Sequence, residues 1–197
     1  MDVEILLFDG FDELDAIGPY EVLTHAGDRG ADLPVRTVTI EPAETVTASH
    51  GLTIQPDGEL GQPDLLVVPG GGWEGGGARR EYDADDLPQA IADRHGQGSV
   101  VASVCTGAML LAGGGLLDGR PATTHHLAHG DLAAVTERVD ARVVDDGDVL
   151  TAAGVSSGLD LALWIVEREF GRELADVTAE AIEYEPRHDV YESAAAA

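Results

Sequence analysis

Lysine is missing from this sequence altogether. All 11 basic residues are arginines, set against 37 aspartates and glutamates, for a formal net charge of -26. That charge disfavours nucleic-acid phosphates and anionic lipid as partners. It also repels itself in dilute buffer, a repulsion that vanishes at molar salt, where the screening length falls to about 3 Å. The acids are scattered along the chain and do not form one tail for a basic partner. The reading is a halophilic surface. Cysteine occurs once, as Cys105. An internal disulfide framework is therefore excluded, and a reducing, cytoplasmic location is expected. No apolar run is long enough to span a bilayer. The opening "MDVEILLFDG" has no basic segment, so it reads as a first strand and not a signal peptide. What is present, 197 residues of which 44% are hydrophobic, suffices for one domain with a real core.

Strand and helix patterns alternate from end to end. "VEILLF" (Val3 to Phe8) is a compact apolar strand of the kind buried on both faces. The following "DGFDELDAIGP" reads as a loop, with Pro19 in the first turn of a helix. "VRTVTI" (35–40), "DLLVVPGGG" (64–72) and "SVVASV" (99–104) read as strands, and "LTIQP" as a short edge piece. Helices are expected over "DDLPQAIADRHGQG", over "TGAMLLAGGGLL", and over Ser156 to Gly171 with a serine cap and a glycine stop. "RPATTHH" is β-like, and "RVVDDGDVLTAAG" reads as a hairpin turning at Asp-Gly. The alternation predicts a single-domain, doubly wound, flavodoxin-like α/β fold. Its sheet is mostly parallel, with helices on both faces. The domain is expected to cover residues 1–190, and 191–197 to form a loose tail.

In such a sheet, reactive groups gather at the carboxyl ends of strands. Cys105 stands there, after "SVVASV" and before a helix, with small residues Ser103 and Gly107 two positions away on either side. This is the nucleophile-elbow pattern with sulfur as the nucleophile. The helix start is expected to lower the thiol pKa. "VVPGGG" ends another buried strand and offers backbone amides for half of an oxyanion hole, the Thr106 amide supplying the rest. In "FDELDAIGP", Asp12, Glu13 and Asp15 each offer a carboxyl. One buried beside the sulfur would have a raised pKa and could deliver a proton. Spacing does not choose among the three. The GxxxxGK[ST] loop is absent, and His125, His126 and His129 have no cysteine or spaced acid to complete a metal set. No cofactor and no metal are expected.

Together, "ILLFDGFDELDAIGPYEVL", "DLLVVPGGG", "VASVCTGAMLLAGGGLLDGRPATTHH" and "TAAGVSSGLDLALWIVEREFG" resemble the ThiJ/PfpI superfamily, of glutamine-amidotransferase-like fold. "LDAIGP" and "CTGA" are most similar to its isonitrile-hydratase branch, and also to the amidase-like sensor domain of AraC-type regulators. The resemblance implies that Cys105 is the elbow cysteine and Asp15 the acid that hydrogen-bonds its sulfur. It likewise implies that Gly71 and the Thr106 amide form the oxyanion hole, that His125 approaches the cysteine from the next strand, and that the protein pairs as a homodimer. Thr106 stands where peptidase-like branches carry histidine, so an adjacent Cys–His pair is absent.

Three functions follow from that resemblance. The first is a cysteine-dependent enzyme on a small electrophile, with isonitrile hydration leading and reactive aldehydes as a variant. The second is an oxidation sensor or chaperone-like stress protein whose thiolate is held as sulfinate. The third is a ligand sensor, for which the residues after Ala181 to Pro186 leave no room for a helix-turn-helix domain.

Overall fold

The computed structural model describes residues 1–195. In chain order the elements are β1 (Val3–Leu6), α1 (Glu13–Asp28), β2 (Val35–Thr39), β3 (Val46–Thr47), β4 (Thr53–Ile54), β5 (Gly58–Glu59) and β6 (Leu65–Val68). Then come α2 (Ala78–Ala84), α3 (Asp86–Gly96), β7 (Val100–Val104), α4 (Gly107–Gly113), β8 (Pro121–Ala122), a 3-10 turn (His126–Ala128) and α5 (His129–Ala133). The chain continues with β9 (Glu137–Arg138), β10 (Val143–Asp145), β11 (Val149–Ala152), α6 (Ser157–Phe170), α7 (Arg172–Ala181) and β12 (Val190–Glu192).

Eight strands form one sheet in the order β12-β10-β11-β7-β6-β1-β2-β5. Every adjacent pair is parallel except β10 with β11. The apolar runs of β1 and β6 are buried along their full length, as expected for central strands covered on both faces. The chain steps from β1 through α1 to β2 in one direction, and from β6 through α3 to β7 in the other. Right-handed crossovers then place α1 and α3 on opposite faces. Helices α1, α6 and α7 pack together, as do α2, α3 and α4. The winding reverses at β1, so the carboxyl ends of β1, β6 and β7 open onto the switch point where α/β sheets bind ligands.

Four local expectations need correction. Helix α1 begins at Glu13, not at Pro19. Asp12 caps it by accepting the Leu14 amide at 3.2 Å, and Pro19 lies inside. A proline there has no N–H to return to the Asp15 carbonyl, a loss that packing against α6 outweighs. A Cβ on Gly18 would touch Leu159 at 3.4 Å, and one on Gly158 would touch Pro19 at 3.3 Å, so these two helices meet at closest range here. Ser156 makes no cap bond; its hydroxyl accepts from Arg142 at 3.0 Å. The glycine stop does form, with Gly171 at φ 95°. "LTIQP" pairs as β4 with β3, outside the main sheet. Tyr191 and Glu192, expected in a loose tail, join the sheet edge through β12, and the Ser193 amide donates to the Asp145 carbonyl at 2.9 Å. The last two residues of that tail lie outside the described residues. The Asp-Gly hairpin forms as read: Gly147 sits at φ 82° and its amide donates to the Asp145 carboxylate at 2.9 Å.

Candidate active site

Strand β7 delivers Cys105 to the switch point in a left-handed conformation, φ 60°. That region costs a non-glycine residue about 1–2 kcal/mol, so the surroundings must impose it. The Cys105 amide donates to the Ala152 carbonyl at 3.1 Å, and the Thr124 hydroxyl donates to the Cys105 carbonyl at 2.8 Å. Gly107 lets the following helix dive against β6, since a Cβ there would lie 2.3 Å from the Val68 carbonyl oxygen. The elbow thus exists as read, and Ser103 and Gly107 flank it in fully buried positions.

Asp15, in the first turn of α1, is 0% exposed. One oxygen, Oδ2, accepts the Gly70 amide at 2.9 Å, whereas Oδ1 has no hydrogen-bond partner among the described residues. A Cβ on Gly70 would strike both that carboxyl (2.9 Å) and the Thr106 amide (2.6 Å), so only glycine fits between them. Burial, then the charge of Asp12, raises the Asp15 pKa well above the usual range; the Gly70 amide and the Cys105 thiol only partly oppose this. Burial, then the charge of Asp15, pushes the Cys105 thiol up, against the Thr106 amide and hydroxyl that favour the thiolate. The expectation of a thiol lowered by its helix start is therefore corrected: α4 has seven residues, and dry surroundings outweigh it. Burial and the charge of the other group both disfavour ionisation, so the thiol and the carboxyl each lean toward their protonated forms. Asp15, not Asp12 or Glu13, is the carboxyl beside the sulfur.

The oxyanion-hole residues meet, but in a different arrangement. The Gly71 amide donates to the Thr106 hydroxyl at 2.9 Å, and that hydroxyl donates to the Gly71 carbonyl at 2.7 Å. The Gly71 amide is thus already engaged, while the Thr106 amide faces the sulfur. His125 is turned to another task. Its Nδ1 accepts the Leu127 amide at 3.3 Å, and its ring lies against His126 with centroids 4.1 Å apart. Burial, then its two histidine neighbours, lowers its pKa. Among the described residues no hydrogen bond joins it to Cys105; in the segment after β8 the residue that touches the cysteine is Thr124. His129 bonds the Thr124 carbonyl at 3.2 Å. Neither belongs to a metal-compatible group among the described residues. The metal-compatible triplet is Asp12, Glu13 and His50, whose ligand atoms lie within 4.8 Å of one another. There Glu13 already pairs with His50 at 2.8 Å, and Asp12 caps α1.

Gly72, which follows Gly71, and Leu127, whose amide donates to His125, border a cavity of about 420 Å³ together with Gly10, Ser49, Trp73 and Glu74 among others. Trp73 ties its glycine-rich wall to α5 by donating to Asp131 at 2.7 Å. The hairpin of β3 and β4 closes another side: its Ser49 and His50 both bond Glu13. Thr124, Gly70, Ser49 and His50 were not legible as site residues. "TTHH" hinted at the first and the glycines of "VVPGGG" at the second, but their partners come from distant strands.

Residues 1–168 match the DJ-1/PfpI family. The isonitrile hydratase of Pseudomonas putida is 33% identical over 190 residues, covering 94% of this chain and 79% of that protein. The Parkinson disease protein 7 homolog of Danio rerio is 28% identical, covering 87% and 90%. The crystal structure of Drosophila melanogaster DJ-1beta superposes with a TM-score of 0.82 at 25% identity, covering 93% and 98%.

Proposed function

Since the chain belongs to the DJ-1/PfpI family, we propose that it is a cysteine-dependent enzyme that hydrates an isonitrile to an N-substituted formamide. The observation that carries this reading is the Asp15 carboxyl, fully buried and held on the Gly70 amide at 2.9 Å beside the Cys105 elbow. With the proton on Asp15, the thiolate attacks the terminal isonitrile carbon. The Asp15 proton goes to that same carbon, forming a thioformimidate. Water then adds to the C=N bond: its oxygen goes to carbon, and a proton passes through the Asp15 carboxylate to nitrogen. Collapse expels the Cys105 thiolate, and the hydroxyl proton returns to Asp15, leaving the formamide. The first step develops no negative charge on oxygen, so it does not call on the Gly71 amide that Thr106 occupies. Addition to an aldehyde creates an alkoxide that a free pair of amides would stabilise, so the same contact favours the isonitrile over that variant. The identity to the P. putida enzyme supports the reading. The family relation also supports a small molecule as the ligand and a homodimer as the assembly. No helix among the described residues is long and apolar enough to cross a membrane.

The test is formamide production from a panel of isonitriles in concentrated salt. Wild type turns over; Cys105→Ser does not; Asp15→Asn falls on the order of 100-fold or more. Turnover that survives Cys105→Ser refutes the mechanism. A second reading, an oxidation-responsive protein, is favoured by the Asp15 carboxyl, buried beside Cys105 and placed to donate to an oxidised sulfur. Stoichiometric conversion of Cys105 to sulfinate by dilute peroxide, with no isonitrile turnover, would select it.

A further inference from the structure

The charges around the site are of one sign. The Asp12 amide donates to the Gly70 carbonyl at 2.9 Å, and Gly70 is wedged against the Asp15 carboxyl and the Thr106 amide, so Asp12 stands next to the groups that surround the sulfur. Glu13 lies beside it, and the exposed Glu74 borders the neighbouring cavity. The nearest arginines are committed elsewhere. Arg79 lies over the Trp73 ring, 5.2 Å from its centroid, and its guanidinium donates to Asp83 at 3.0 and 3.1 Å. Arg80 bonds Glu81 at 2.7 Å and the Asp9 carbonyl at 2.7 Å. Among the described residues no arginine borders the cavity. Of the histidines, exposed His50 pairs with Glu13 and so cancels only that charge. His125 is held toward its neutral form. The remaining walls are the neutral Ser49 side chain, Leu127, Trp73, and bare backbone at glycines 10, 72 and 75 to 77.

We propose that Asp12 and Glu74 make this site selective by charge, admitting uncharged or cationic electrophiles with a compact apolar substituent and rejecting anionic ones. This rests on Cys105 being the reacting centre. An anionic ligand here meets carboxylates with no arginine lining the cavity to offset them among the described residues, a repulsion that is long-ranged at low salt and screened at high salt. An isonitrile bearing a carboxylate is therefore a poor substrate, and its alkyl or ammonium counterpart a good one.

The experiment reads charge selection without relying on turnover. Cys105 is modified with three methanethiosulfonates, bearing a methyl, a trimethylammonioethyl or a sulfonatoethyl group. Each rate is divided by that of a free small-molecule thiol at the same salt. Salt is varied only over the range in which near-UV circular dichroism stays native. The expected cation-to-anion preference is on the order of 10- to 100-fold at the lowest salt. It should shrink several-fold at molar salt and fall most of the way to the free-thiol value in Asp12→Asn/Glu74→Gln. A ratio matching the free thiol overturns the proposal. So does a strong ratio untouched by the double variant, which would place the selection in the overall charge of -26. The neutral reagent shows whether either variant has lost reactivity as such. If the ratio behaves as expected but no isonitrile is hydrated, the hydratase reading fails and charge selection stands.

Discussion

Replacing Gly107 by alanine tests whether the elbow depends on contact between backbones. The added Cβ would lie 2.3 Å from the Val68 oxygen, 2.9 Å from the Pro69 oxygen and 3.0 Å from the Pro69 carbonyl carbon. All three are backbone atoms at the end of central strand β6, so no side chain can swing away. Relief requires α4 to retreat from β6, carrying Thr106 and Cys105 with it. Overpacking of this kind costs about 1–3 kcal/mol, and rigid obstacles put it at the top of that range. Alanine in a helix returns about 1 kcal/mol relative to glycine. The net loss is therefore about 2 kcal/mol or more, a shift of roughly 1 M in the urea midpoint for an m-value near 2–3 kcal/mol/M. Gly130 in α5 is the control: its Cβ would meet nothing within 4 Å, so Gly130→Ala should gain about 0.5–1 kcal/mol. Urea unfolding of both variants at one fixed, high salt concentration decides the matter, with Cys105 alkylation as the local readout. If Gly107→Ala unfolds within about 0.5 kcal/mol of wild type and alkylates at the same rate, the close approach does not shape the elbow.

Other consequences follow from the same structure. Thr106→Val removes a hydroxyl that both accepts from and donates to Gly71. Gly71 is partly open to water, so the loss is about 1–3 kcal/mol in urea melts, while Thr106→Ser stays close to wild type. Because that hydroxyl also favours the thiolate, the alkylation profile of Thr106→Val should move to higher pH; a move to lower pH contradicts the geometry. Burial alone would raise Glu13, but hydrogen bonds from the His50 side chain and amide and from Ser49 hold it down to about 2. Its contribution to stability is therefore present above an unfolded value near 4.5 and lost as pH falls toward 2. His50 is raised by the same hydrogen bond. Its contribution is full below an unfolded value near 6.5 and lost as pH rises through the folded one. An NMR titration should place His50 above 6.5 in wild type and return it there in Glu13→Gln. An unchanged His50 in that variant breaks the pairing. Finally, even with every arginine paired once, 26 carboxylates are left over, so Tm should climb from dilute buffer to molar KCl. A flat or falling curve removes repulsion as the consequence of the acid excess.

The fold class could be read from pattern because burial on both faces demands it. "VEILLF" and "DLLVV" are continuous apolar runs, and only a sheet covered on both sides satisfies such runs. Cys105 could be read for a related reason: a strand that turns at once into a helix needs small residues at 103 and 107, and both are local in the chain. The start of α1 could not. Pro19 is a strong local signal, and it yielded to the contact of Gly18 and Pro19 with Gly158 and Leu159, about 140 residues further on. The choice among Asp12, Glu13 and Asp15 was equally out of reach. Each is an acid on one short stretch, and what separates them is where the helix points them: Asp12 to the cap, Glu13 to His50, Asp15 inward to Gly70 and the sulfur. The state of the thiol turned on burial, which chain neighbours do not report. The helix start at 107 argued for a low pKa, while the walls brought in by α1 and β6 raised it. The sequence by itself determined the sheet, the elbow and the excess of negative charge. Which carboxyl faces the cysteine, which amide Thr106 occupies and how far burial raises the thiol were decided by tertiary structure, because each depends on groups from separate strands brought into one dry space.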